Sequence, residues 1–451
     1  MFETLRNIFK IQELKKKIMI SLALLIVYRA GCFVPTPGID SGALAEYFNE
    51  LTQAHGQTFV GMINLFTGGA LGRLSIFALG IMSYITSSII MQLLTAVIPA
   101  FEKISREGRA GYEKINQYTR YLTVFLCLFQ GFMLSKWLET LKTAGGRQIV
   151  PSGGLSFELI TVITLACGTI FIMWLGEQIQ ERGVGNGISL IIATSIISRI
   201  PSSLGYLWIL YSPFNPAERQ ISTVTVILLF IIWFLIVMTV VLFTQAQRRI
   251  PIQYARRVVG RRVYGGQSTF LPIKIDMSGV IAIIFAQAVL LFPSTIAGIF
   301  PQTGSFFSFI KNIFRSDSLS YNIIYVILIM FFMYFHTSIT FNPQEIANNL
   351  KKNGGFIPGI RPGKFTAEYI DFVATRIVFV GAVYIAAIAI FPSFIVKLFA
   401  IPSSAIASFF GGTTILIMVG VILDTMRQIE GQLLIRHYDG FIKGKTLKAR
   451  R

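Results

Sequence analysis

Apolar runs close to the roughly 20 residues needed to cross a bilayer as a helix recur along the whole chain. In hydrocarbon every backbone N–H and C=O must find its partner within the segment, so such runs read as membrane helices. Ten can be placed, at about Ile18–Val34, Leu74–Ile98, Tyr118–Leu138, Phe157–Gly176, Gly187–Tyr206, Ile221–Phe243, Ser278–Ile299, Ser320–Phe341, Ile370–Phe394 and Ser404–Leu423. Composition agrees: 53% of the residues are hydrophobic and 14% charged, too few charges for a soluble surface on 451 residues. The expectation is an all-α polytopic membrane protein with no separate soluble domain. Met1–Lys17 is basic and amphipathic, and the run after it shows no convincing cleavage site.

The net charge of +19 must then sit in the loops. Roughly 30 of the 40 Lys and Arg fall in the amino terminus, the loops after even-numbered spans and the carboxyl tail. By the positive-inside rule both termini are cytoplasmic, in agreement with an even number of spans. Ten spans split into two sets of five, and the second set starts on the opposite side from the first. That is the geometry of an inverted repeat with a pathway between its halves, although no residue-level repeat is visible. The segments are a cytoplasmic amino terminus (1–17), an amino-terminal half (18–206), a carboxyl-terminal half (207–423) and a basic tail (424–451).

Two regions stand out. The external segment before the second span ends in Phe59-Val60-Gly61-Met62-Ile63-Asn64-Leu65-Phe66-Thr67-Gly68-Gly69, too short to span and too apolar for water. It reads as a plug over 59–73 that closes a pore, or as a re-entrant helix that only packs. The cytoplasmic loops 245–277 and 342–369 are long and basic, and Arg262-Val263-Tyr264 allows a hairpin. They suit anionic phospholipid head groups, or an acidic partner such as ribosomal RNA phosphates.

Other chemistry is missing. There is no phosphate-binding Gly-rich loop, so the chain does not look like its own ATPase or like an enzyme. Cys32, Cys127 and Cys167 lack metal-ligand spacing, and His55, His336 and His437 are scattered, so no metal or cofactor is expected. The span interiors carry almost no ionisable residues, which argues against an ion-coupled carrier. Gln92, Gln130 and Gln287 are the notable polar residues within spans, and suit either helix–helix bonds or a polar gate. Three readings remain open on these grounds: a passive conduit, a secondary transporter, and a scaffold or insertase.

Nine stretches, in order, resemble the SecY family of protein-export channels. They are Phe66-Thr67-Gly68-Gly69-Ala70-Leu71, Ser75-Ile76-Phe77-Ala78-Leu79-Gly80-Ile81-Met82 and Ile89-Ile90-Met91-Gln92-Leu93-Leu94, then Trp174-Leu175-Gly176-Glu177-Gln178-Ile179 and Arg182-Gly183-Val184-Gly185-Asn186-Gly187-Ile188-Ser189. Arg261-Arg262-Val263-Tyr264, Phe341-Asn342-Pro343, Phe356-Ile357-Pro358-Gly359-Ile360-Arg361-Pro362-Gly363 and Gly411-Gly412-Thr413 complete the set.

The resemblance implies an hourglass pore between two pseudo-symmetric, inverted five-helix halves. It places Ile81, Ile85, Ile188, Ile192, Ile281 and Ile417 in a ring at the waist, where flexible aliphatics can gate by dewetting. It makes Phe59–Leu71 the plug. It makes spans 2 and 7, flanked by 3 and 8, a lateral gate that carries Gln92, Gln130 and Gln287 and passes signal sequences and membrane segments into lipid. It also implies that Arg256, Arg257 and Arg361 meet the ribosome or the SecA motor ATPase, that small SecE and SecG subunits assemble with the chain, and that the membrane is a bacterial plasma membrane, with a thylakoid as the alternative. Ser83 and Ala282 stand where relatives usually carry proline, which leads one to expect straighter gate helices.

Overall fold

The structure is a computed structural model. It describes residues 11–44, 46–47, 67–141, 146–211, 221–254, 257–259, 262–264, 268–278, 280–299, 313, 318–398 and 411–444. A helix stands at each place where the sequence called for a span. They are α1 (Gln12–Gly31), α2 (Met82–Val97), α4 (Arg109–Thr140), α5 (Leu155–Arg182), the consecutive pair α6 (Gly187–Ile197) and α7 (Ile200–Tyr211), α8 (Thr223–Gln245), α9 (Ile281–Ile299), α10 (Leu319–Thr340), α12 (Lys364–Leu398) and α13 (Gly412–Gly444). Short amphipathic α3 (Pro99–Arg106) follows α2 after a 103° bend, and α11 (Pro343–Lys352) follows α10. Among the described residues, seven helical segments are individually long and apolar enough to cross a membrane, or eight if the bent α2–α3 pair is one span.

The outer surface is what a lipid-facing protein requires. In α8, which has no charged residue, Val224, Ile227, Phe230, Ile231, Phe234, Leu235, Met238 and Leu242 are all exposed. So many adjacent apolar side chains would not be tolerated in water.

Inward faces follow helical spacing. In α1 the buried residues are Leu14, Ser21 and Tyr28, seven apart and therefore on one stripe. Ser21 Oγ accepts from the Val184 N–H at 3.0 Å, and the Tyr28 hydroxyl lies 2.6 Å from Ser195 Oγ, which ties α1 to the α5–α6 turn and to α6. The buried stripe of α4 (Thr119, Thr123, Cys127, Gly131, Ser135) consists of small residues. At Gly131 an added Cβ would lie 3.4 Å from the Val162 Cα of α5, so the small stripe lets the two backbones close on each other.

The helices pack as two groups. One comprises α1, α2, α4, α5 and α6; the other comprises α8, α9, α10, α12 and α13. The groups meet principally along two seams, α2 and α4 against α9 on one side and α6 against α13 on the other. At the second seam the Gly185 N–H donates to Gln428 Oε1 at 3.1 Å. Among the described residues these ten helices therefore group five and five.

Two boundaries differ from expectation. The second helix begins at Met82, not Leu74. Gly68, Gly69 and Gly80 have φ of 64°, 91° and 59°, so the chain descends through turns rather than a helix. Val34–Thr36 and Leu74–Ile76 instead pair as a short bridge (Thr36 N–H to Leu74 C=O, 2.9 Å; Ile76 N–H to Val34 C=O, 3.0 Å). The last helix runs on to Gly444, taking in much of what the sequence left as a tail.

The basic loops form a third layer. Strands β1 (Gln247–Tyr254), β4 (Ser268–Lys274) and β5 (Gly355–Phe356) make an antiparallel sheet in the order β4-β1-β5, and β2 (Arg257–Val259) pairs with β3 (Arg262–Tyr264) as a separate hairpin. Burial alternates in β1: Ile250 and Ile252 point inward while Arg248, Arg249 and Pro251 are exposed.

Candidate functional site

All six isoleucines assigned to the waist fall in one continuous apolar cluster built from both halves. Ile417 on α13 is fully buried, Ile192 on α6 and Ile81 and Ile85 on α2 nearly so, and Ile188 and Ile281 are partly buried against them. Ile81 caps α2, and its carbonyl accepts from the Ile85 N–H at 3.1 Å, so the pair still lies one turn apart. Asn186 sets the start of α6 by accepting from the Ser189 N–H at 3.2 Å, which fixes where Ile188 and Ile192 emerge. The motif Arg182–Ser189 thus has a local mechanical role: turn, seam contact and helix cap.

Of the plug, Phe59, Val60, Met62, Ile63, Asn64, Leu65 and Phe66 lie outside the described residues. Its end is held firmly. Arg29 Nη1 donates to the Gly68 carbonyl at 2.8 Å, the Leu71 N–H donates to Thr67 Oγ1 at 3.3 Å, and a Cβ at Gly68 would come within 3.1 Å of Ser195 Cα. Gly68 therefore rests directly on α6, the helix that carries Ile192, and Gly69 lies beside Arg199 just beyond its end.

The three glutamines behave differently from one another. Gln130 on α4 accepts from Ser83 Oγ of α2 at 2.7 Å. Gln92 donates only to Ser88 of its own helix, at 3.3 Å. Gln287 of α9 is buried, and its Oε1 has no hydrogen-bond partner. The structure also overturns the expectation of straighter gate helices. α2 starts at Met82 and α9 at Ile281, so positions 83 and 282 lie in first turns. Proline there removes no intrahelical hydrogen bond and produces no kink. What Ser83 adds is a hydroxyl. Its role was not legible in the sequence, where it stood out only as a departure from the family pattern.

The two basic loops were read separately, but they form one body. Gln253 pairs with Phe356 and Tyr254 with Gly355, and Ile250, Ile252, Ile273, Leu350, Ile357 and Ile370 share a small core. Asn342 caps α11 by accepting from the Glu345 N–H at 3.3 Å, with Pro343 in the first turn. Arg361 is exposed on this platform, and its carbonyl accepts from Thr366 Oγ1 at 2.9 Å. Arg257 opens β2 opposite Tyr264, and Arg256 lies outside the described residues. Among the described residues no group of His, Cys, Asp or Glu is placed to hold a metal ion, and the three cysteines are unpaired.

Comparison with known proteins decides the family. The SecY family model matches residues 75–426. The chain belongs to the SecY family. It is 44% identical over 441 residues to the protein translocase subunit SecY of Streptomyces galbus, with 96% of this chain and 98% of that protein covered. Its fold is that of solved channels at 18% identity. One is a SecY whose plug domain is described as stabilising the closed state of the translocation channel and maintaining a membrane seal (TM-score 0.63). The other is Sec61 in the canine ribosome–channel complex of the endoplasmic reticulum (TM-score 0.62). Each comparison covers 96% of this chain and 95% of the other. Family membership makes this SecY-family chain a multi-span membrane channel subunit for protein translocation and not an enzyme.

Proposed function

We propose that preproteins cross between the two five-helix groups, through a waist formed by Ile81, Ile85, Ile188, Ile192, Ile281 and Ile417. The carrying observation is that these residues come from four helices of both groups and converge in one apolar cluster. Aliphatic side chains there exclude water at rest and yield to a passing chain. The segment ending at Gly68–Gly69 closes the outer side as a plug. The seam of α2 and α4 with α9, flanked by α10, opens sideways to admit signal sequences and release membrane segments. An apolar signal helix replaces helix–helix packing with packing of similar quality, so opening is nearly balanced in free energy.

The chain supplies no energy itself. The strand-built platform with Arg361, together with Arg257 and the sequence neighbour Arg256, meets the SecA motor or the ribosome, including ribosomal RNA phosphates, and anionic phospholipids surround its base. SecE and SecG complete the complex in a bacterial plasma membrane, with both termini cytoplasmic by the distribution of Lys and Arg.

Ile417→Asn tests the waist. A polar side chain at that fully buried position wets the constriction. Ion leak and export of preproteins with defective signals are both expected to rise. Unchanged leak and stringency in an assembled channel would remove Ile417 from the pore.

A further inference from the structure

Side-chain bonds between helices are sparse in the membrane core, and their placement around the α2/α9 seam is uneven. On one side Ser83 Oγ donates to Gln130 Oε1 at 2.7 Å, joining α2 to α4. Ser83 is fully buried, and its carbonyl accepts from Ser87 Oγ at 2.8 Å, so the helix turn that carries it is itself pinned. On the other side Ser278, just before α9, donates to Met333 Sδ of α10, and Phe285 meets Phe332 edge-to-face with ring centres 5.7 Å apart. Among the described residues no side-chain hydrogen bond crosses from α2 or α4 to α9 or α10. Each flank is stitched within itself, and among the described residues the line between the flanks is held by apolar contact.

We propose that Ser83 is a positioning residue for the gate: by holding Gln130 it makes α2 and α4 one moving body, so that the opening falls between α2 and α9 and not between α2 and α4. This rests on the lateral-gate reading and adds what keeps the break at that seam. Two features make the hydroxyl decisive. Proline would sit in the same first turn without disturbing the helix but could not donate to Gln130. Among apolar helix faces a carbonyl that loses its donor is also costly, so the bond favours keeping the two helices together.

Three distances test it. The complete channel, with its partner subunits and with Cys32, Cys127 and Cys167 replaced by alanine, is spin-labelled in pairs at Ala96 on α2, Tyr121 on α4 and Val289 on α9, all exposed positions. Separations are measured at rest and with a preprotein stalled in the channel. The Ala96–Val289 separation is expected to grow on engagement while Ala96–Tyr121 stays in its resting range. In S83A and in Q130A the fraction leaving that range rises about threefold, the effect of losing an intramembrane hydrogen bond of average strength. The double variant goes no further than either single variant, and S83T, which keeps the hydroxyl, behaves as the parent.

An Ala96–Tyr121 separation that stays put in S83A while Ala96–Val289 still grows would overturn the role of Ser83 and leave the gate reading intact. An Ala96–Val289 separation unchanged in every variant would overturn the gate reading, and the role of Ser83 with it.

Discussion

Gly68 offers the sharpest single perturbation. Its φ of 64° is left-handed, and the Cβ of an alanine there would lie 3.1 Å from Ser195 Cα, a backbone atom that cannot rotate away. The left-handed conformation alone costs a residue with a side chain about 1–2 kcal/mol. The tight approach to α6 forces a shift on top of that, and the shift also strains the Arg29 bond to the Gly68 carbonyl. If the hinge relaxes when the plug leaves its seat, Gly68→Ala moves the closed–open balance toward open by roughly 5- to 30-fold. Ion conductance of the reconstituted channel without substrate is the assay, with export of a preprotein lacking its signal as a second readout. Gly146→Ala is the control: its φ is 76°, equally left-handed, but a Cβ there meets nothing within 4 Å. Leak should rise in Gly68→Ala and not in Gly146→Ala. Equal leak in the two, or none in Gly68→Ala with the channel assembled, would refute the idea that this glycine seats the plug.

Two further outcomes concern the platform. Arg361→Glu reverses an exposed charge that pairs with no acidic side chain among the described residues, so motor-driven export should fall while the amount of assembled channel is unchanged; normal export would remove Arg361 from the docking face. Ile252→Ala empties part of the small core beneath β1, at a local cost of about 2–5 kcal/mol. It should free β5 from β1, seen as faster amide exchange at Gln253 and Tyr254, and should weaken docking without changing leak through the pore.

Much of this was legible in the sequence because the bilayer leaves few choices. A run such as Thr223–Gln245, without a charge, can only be a helix facing lipid. What stayed hidden depends on long-range contact. The start of α2 could not be read because Leu74–Ile81 is as apolar as the helix it precedes. The left-handed φ of Leu74 and of Gly80 and the bridge from Val34 to Ile76 stop the helix there. The platform was hidden because β5 is two residues long and pairs with a strand about 100 positions earlier, which no local pattern reports. Ser83 was visible as an oddity, but its partner lies 47 residues away on another helix, and the straightness inferred from the missing proline depended on a helix start that was itself misplaced.

The central claim is that a translocating chain passes the waist at Ile417. With Cys32, Cys127 and Cys167 removed and a single cysteine placed at position 417, a preprotein bearing one cysteine is stalled halfway across the membrane. The account predicts a disulfide between the two chains, lost when the preprotein carries no signal sequence. No disulfide, with position 417 reacting instead with a lipid-phase probe, would contradict it.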